Sequence, residues 1–227
     1  MKIVRTLALT SALVAAAVAP AAPAHAAPAG PVPAKVTLTQ TRHADVDGDG
    51  RLDTVPIYDT GKKGDKTLWK VKVTTAKGRS SSVTVPIPSY QGTKHLWHGW
   101  AQLDGHRGAE VILEPETDDF ITYIVLTWQG NALHRELAPG ADKQWVAATG
   151  TDRNGFRFYT ASGKRYVNAW SATCPDQESR PGTCTVKTVR YVWRNGAWHK
   201  AATLPTTKVS NQAIYARHPL GALNVHA

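Results

Sequence analysis

The chain has 227 residues, with 27 Lys and Arg against 17 Asp and Glu, 19% charged and 42% hydrophobic. That length can bury a self-supporting core as one or two domains, and so low a charged fraction excludes a disordered polyelectrolyte or a coiled coil. Eight Trp and seven Tyr against three Phe and one Met suit strands and half-exposed surfaces better than helix packing.

Met1–Ala26 has the organisation of a secretory signal peptide. Lys2 and Arg5 form the charged start, Leu7–Ala19 the apolar stretch, and Ala24-His25-Ala26 an A-x-A cleavage site. The apolar stretch is shorter than the roughly 18 residues a membrane span needs, so the mature form is expected to start near Ala27, outside the cell and without a transmembrane segment. Loss of Lys2 and Arg5 takes the net charge from +10 to +8. Residues 27–39 follow as a Pro/Ala-rich linker. The segment 27–34, APAGPVPA, can neither pack a helix nor donate a full hydrogen-bond ladder.

The stretch Asp45-Val-Asp47-Gly-Asp49-Gly-Arg51-Leu-Asp53 carries the clearest chemistry. Carboxylates at loop positions 1, 3, 5 and 9, with the Arg51 carbonyl at position 7, can converge on one hard cation. Gly50 permits the sharp turn, and an all-oxygen set favours Ca2+. Without a cation the four acids repel one another. An EF-hand needs a Glu at position 12 and flanking helices. Here position 12 is Pro56, inside the strand-like Thr54–Tyr58, so the pattern predicts a strand–loop–strand site.

The stretch Ala44–Val55 resembles the calcium-loop half of VCBS/FG-GAP-type repeats, which build β-propeller blades in integrin α subunits and many secreted bacterial proteins. The resemblance implies that Asp45, Asp47, Asp49 and Asp53 supply side chains and Arg51 its carbonyl. A second copy, Ala101–Glu110, places Gln102, Asp104, His106 and Glu110 at the corresponding positions, and each copy is followed by a strand.

The remaining pattern predicts strands. Trp69-Lys-Val71-Lys-Val73 and Val83-Thr-Val85-Pro-Ile87 alternate, and Pro86 suits an edge or a strand end. Ile121–Trp128 is nearly continuous in β-branched and aromatic residues, which predicts burial on both faces. Phe156–Phe158, Arg165–Trp170 and Val186–Trp193 continue the series. Turn signals separate them at Gly61–Gly64, Lys77-Gly78, Gly130-Asn131, Asn154-Gly155, Ser162-Gly163 and Asn195-Gly196. No amphipathic helix is expected after residue 27. The expected fold class is all-β: one domain, 40–205, of short antiparallel blade-like sheets in a partial propeller or compact sandwich. Its three units are expected to start near residues 40, 97 and 145, with 206–227 as a C-terminal tail.

Cys174 and Cys184 are the only cysteines, and in an exported chain they are expected to form one structural disulfide. His95 and His98, three apart on a strand, do not face one way and lack a third ligand. Glu114, Glu116, Asp118 and Asp119 read as a solvated turn. No G-x-S-x-G, P-loop or G-x-G-x-x-G occurs.

The expected function is an extracellular binding or surface-associated module with structural calcium, monomeric and not an enzyme. The alternative is a secreted hydrolase acting on cell-wall or extracellular polymer. Excess positive charge favours an anionic cell-wall polymer, carbohydrate or protein as partner. Trp97, Trp100, Trp145, Trp170 and Trp198 either stack on sugars or fill the core. The basic residues are spread over many strands, so nucleic acid is not expected.

Overall fold

Period-two alternation folds as the sequence predicts, into three antiparallel sheets whose strands follow one another in chain order. The computed structural model describes residues 36–94, 96–115, 120–148, 152–174, 182–217, 220 and 225–226, all within the compact unit Ala34–Ala227. The leader at 1–26 and most of the linker lie outside the described residues, as do His95, the acids Glu116, Asp118 and Asp119, and the interior of the Cys174–Cys184 loop.

Sheet 1 is a four-stranded meander of β1 (Thr37–Ala44), β2 (Asp53–Lys63), β3 (Lys66–Thr74) and β4 (Ser80–Pro88). Pro86 sits on β4, an edge strand, where its missing N–H costs no central ladder bond. Sheet 2 runs β5 (Trp97–Ala101), β6 (Glu110–Leu113), β7 (Phe120–Gln129) and β8 (Ala132–Glu136). β9 (Trp145–Ala148) pairs the first half of β7. Sheet 3 runs β10 (Asp152–Ala161), β11 (Lys164–Thr173), β12 (Thr183–Arg194) and β13 (Ala197–Thr203), with β14 (Thr207–Ser210) on the other end of β12. Two-residue turns with positive φ at both positions join β7 to β8 (Gly130, Asn131) and β12 to β13 (Asn195, Gly196), the type I′ geometry that matches strand twist.

Sheet 2 is the middle layer. Val111, Leu113, Ile124 and Leu126 pack on one side against Val55, Ile57, Val71, Val73 and Val85 of sheet 1. Their alternates Ile112, Tyr123 and Val125 pack on the other side against Phe156, Phe158 and Val167 of sheet 3. This is the two-sided burial predicted for Ile121–Trp128. A third cluster, Trp170, Ala172, Cys174, Cys184, Val186 and Ile214, closes part of the outer side of sheet 3.

The turn expected at Asn154-Gly155 is absent: β10 runs straight through both residues, in register with Ser171 and Trp170. The structure differs from the sequence expectation in three further places. The third unit was expected from residue 145, but β9 joins sheet 2 and sheet 3 starts at Asp152. The segment 206–227, expected as a tail, supplies β14, and Leu220 is buried in the second core. Farther along that segment, His226 exchanges both backbone hydrogen bonds with Trp100, at 2.8 and 2.9 Å. A helix was not expected, yet α1 (Asn211–Tyr215) forms one turn capped by the Ser210 hydroxyl and buries Ile214. The disulfide Cys174–Cys184 is present, beside this turn.

Candidate functional site

The loop between Ala44 and Asp53 is shaped by its own carboxylates. Asp45 Oδ2 accepts from Gly50 N at 2.9 Å, Asp47 Oδ1 from Asp49 N at 3.2 Å and Asp49 Oδ1 from Arg51 N at 2.9 Å. Such side-chain-to-backbone bonds favour turns over regular structure. The winding brings one oxygen each from Asp45, Asp47 and Asp49 within 4.8 Å of one another, a group that could hold a metal ion. Asp45 Oδ1 is buried without a hydrogen-bond donor. Asp49 Oδ2 also lacks a conventional one, and Lys77 Nζ lies 3.1 Å from it. An orphaned carboxylate oxygen on Asp45, in an oxygen-only set, fits a hard cation, which would displace Lys77 from Asp49.

The charges are unequal. Burial, then the charge of Asp53, pushes the Asp47 carboxyl above its ordinary range. The hydrogen bond from Lys77 holds Asp49 below it. Arg51 turns its side chain away, donating from Nη2 to Ala76 O at 2.6 Å.

Asp53 stands apart from the convergent three. It is fully buried beneath the loop. Its Oδ2 accepts from Val46 N at 2.8 Å and Asp47 N at 3.1 Å, and its Oδ1 from Ala76 N at 2.8 Å. Three backbone donors engage this carboxylate, which pins the loop to the turn after β3.

The second copy repeats the device. Glu110, at the position of Asp53, accepts from Leu103 N at 2.6 Å as Asp53 does from Val46 N. Asp104 Oδ1 accepts from His106 N at 2.6 Å as Asp47 Oδ1 does from Asp49 N. The two loops touch: Ala109 N donates to Asp45 O at 2.9 Å, and a Cβ on Gly48 would collide with Gly108 N.

Sequence reasoning missed the third member of this second site. Glu136, from the end of β8, joins Asp104 and Glu110 in a fully buried group that could also hold a metal ion. No periodicity reveals it, because β8 reaches the loop only through tertiary packing. Glu136 Oε1 accepts from Trp198 Nε1 at 2.9 Å, while its Oε2 has no donor. Burial and the charge of Asp104 push Glu110 up to about 8. Burial and the charges of Glu110 and Asp104 push Glu136 above its ordinary range. His106 Nδ1 lies 3.0 Å from Asp104 Oδ2 and 3.0 Å from Trp193 Nε1.

Among the tryptophans proposed for sugar stacking, Trp97, Trp145 and Trp170 are buried in the cores. Trp100 stacks on His226, and Trp198 packs against Trp193 and Phe158. His98 pairs with Glu114. Among the described residues, no helix is long and apolar enough to cross a membrane. No family model, curated protein or solved structure matches this chain.

Proposed function

We propose that the protein is a secreted, calcium-stabilised binding module of the extracellular surface, related to VCBS/FG-GAP-type repeats, with an anionic cell-wall polymer, carbohydrate or protein as its partner. The observation that carries this reading is the convergence of Asp45, Asp47 and Asp49, with one Asp45 oxygen orphaned, in the loop between β1 and β2. Calcium is held there by these three and a backbone carbonyl. Its role is structural: it neutralises charge that opposes folding and locks a loop that docks on the next loop. The test is thermal unfolding in millimolar calcium and in chelator. Calcium should raise the melting temperature of the wild type and not of Asp49→Ala; identical curves for the wild type in both conditions would refute the site.

The alternative, a secreted hydrolase, draws on the half-exposed His106 backed by the buried Asp104 and on the acids Glu110 and Glu136. Against it, the cavity beside Glu136 is only about 150 Å3, closed by Trp193 and Trp198, where ligand pockets run from about 300 Å3 upward. Hydrolysis of wall polysaccharide lost in His106→Ala would favour the enzyme over the binder.

A further inference from the structure

Among the described residues, the outward face of sheet 3 carries arginines without an ion-paired carboxylate. The strand register places Arg157 opposite Asn168 and Asn168 opposite Arg190 in one row. Tyr159, Tyr166 and Val192 form the next. Phe156, Phe158 and Val167 alternate with these residues and point into the second core, so both rows face away from it. Arg157 is exposed and the others are half-buried.

Aromatic rings lie beneath two of the three guanidinium groups, those of Arg190 and Arg217. Arg190 lies 5.7 Å over the Tyr159 ring and donates from Nε to Asn168 Oδ1 at 3.4 Å. Tyr159 and Tyr166 stack at 5.4 Å with planes 12° apart. Arg217 lies 5.2 Å over Trp170 on the same side of the sheet. Burial, then the charge of Arg157, holds the Arg217 guanidinium below its ordinary value. Among the described residues, none of these three arginines is in an ion pair. Residues 152–217 hold eleven Lys and Arg against three acids, Asp152, Asp176 and Glu178. An excess of like charge destabilises a free protein and is relieved when an anion binds.

We propose that this face binds an anionic polysaccharide, whose carboxylate or sulfate groups are taken by the guanidinium edges of Arg157, Arg190 and Arg217. The proposal rests on the binding-module reading and names the face and ligand chemistry for it. A stacked guanidinium keeps its N–H fork free in the ring-parallel plane, the geometry that matches a planar or tetrahedral oxyanion. Arg157 and Arg190 stand two strands apart, about 10 Å at normal strand spacing, so a ligand reaching both must repeat its charge along an extended chain. Single-stranded nucleic acid stacks its bases on open aromatic faces. Here Tyr159 is covered by Tyr166 and Arg190, and Trp170 by Arg217, which removes that mode.

The experiment is binding of purified protein to polygalacturonate and dextran sulfate by titration calorimetry. Uncharged dextran, an oligo-dT strand and phosphatidylglycerol vesicles serve as comparisons. Both anionic polysaccharides should bind, weakening as salt rises, and dextran should not. Arg157→Glu should weaken binding at least tenfold and Arg190→Gln several-fold. Lys62→Glu, the same charge change on an exposed residue of sheet 1, should stay within twofold of wild type. Should Arg190→Gln unfold, the exposed Arg157→Glu decides alone. No binding to either polyanion, an equal loss in Lys62→Glu, or tighter binding to oligo-dT or vesicles would each overturn the proposal. A calcium-dependent melting shift without polyanion binding would remove this face and leave the module reading standing. Polyanion binding without that shift would keep this face and remove calcium from the module reading.

Discussion

Asp49 and Asp53 belong to one acidic motif four residues apart, yet the structure gives them different work. Asp49 offers an oxygen outward to the convergent group, while Asp53 is buried and satisfies three backbone N–H groups. Asp53→Ala should therefore cost more than about 3 kcal/mol, since hydrogen bonds to charged groups contribute about 1.5–3 kcal/mol each, and chemical denaturation should show that cost in chelator as well as in calcium. Asp49→Ala should change stability little in chelator and abolish the calcium increment, about 2.7 kcal/mol at a hundredfold excess over Kd. The buried acids of the second loop make a separate pH prediction. An acid whose folded-state pKa is raised holds its proton more tightly folded than unfolded. Its stabilising contribution is complete at acid pH and is lost as pH rises from the unfolded value, near 4.5, through about 8 for Glu110. In chelator, the wild-type melting temperature should fall across that window. Glu136→Gln, which removes one of the three competing charges, should flatten the fall; a slope unchanged in this variant would show that the acids do not share their protons.

At the scale of elements, each loop is built to sit on the unit that follows. A Cβ on Gly48 would strike the backbone of Arg107 and Gly108 in the second loop. One on Gly105, its counterpart in the repeat, would lie 2.8 Å from Arg165 Cβ of sheet 3. Arg165 also donates to Leu103 O at 2.8 Å and Gln102 O at 2.6 Å, so the second loop is clasped from sheet 3. Gly48→Ala should destabilise by more than about 2 kcal/mol, combining left-handed backbone strain with a displaced loop. Gly50→Ala, also at positive φ but with open space at its Cβ, should cost about 1 kcal/mol from strain alone, and urea unfolding of the two variants separates the terms. The pattern of strands was legible in the sequence because its causes are local: alternation in β3, continuous apolar character in β7, Asn-Gly at the β12–β13 turn. The convergence of Asp45, Asp47 and Asp49 was legible for the same reason, the three acids lying within five residues, whereas Asp53, expected among them, bonds backbone N–H groups instead. Glu136 was not, because β8 meets the second loop through packing alone. β9 was not assigned to sheet 2, because a four-residue strand carries too little pattern to say which neighbour it pairs. α1 is a single turn, held by its Ser210 cap and by burial of Ile214 rather than by helical periodicity.

On the scale of the whole molecule, the first acidic loop and the disulfide lie on different sides of the stack. The first acidic loop joins β1 to β2 and rests on the second loop, whereas Cys174–Cys184 ties the end of β11 to β12 in the cluster on the far side of sheet 3. Sheet 2 stands between them with both faces buried. The disulfide closes a short loop, sequence separation 10, so replacing both cysteines by serine should cost about 2–3 kcal/mol on the chain-entropy account. The question for the stack is whether that loss is felt at the acidic loop. Sites without shared partners add within about 0.3–0.5 kcal/mol, whereas elements coupled through a rigid shared layer do not. The contacts here are sequential: loop 1 touches loop 2, loop 2 touches Arg165, and the disulfide cluster lies on the opposite face of β11 and β12 from Phe158 and Val167. A double-mutant cycle of Asp49→Ala with the Cys174→Ser/Cys184→Ser pair, in saturating calcium, should therefore be additive within about 0.5 kcal/mol. A coupling energy well beyond that would mean that strain released at one site is carried through the intervening sheet to the other, so that the first loop and the third sheet depend on each other in the folded state.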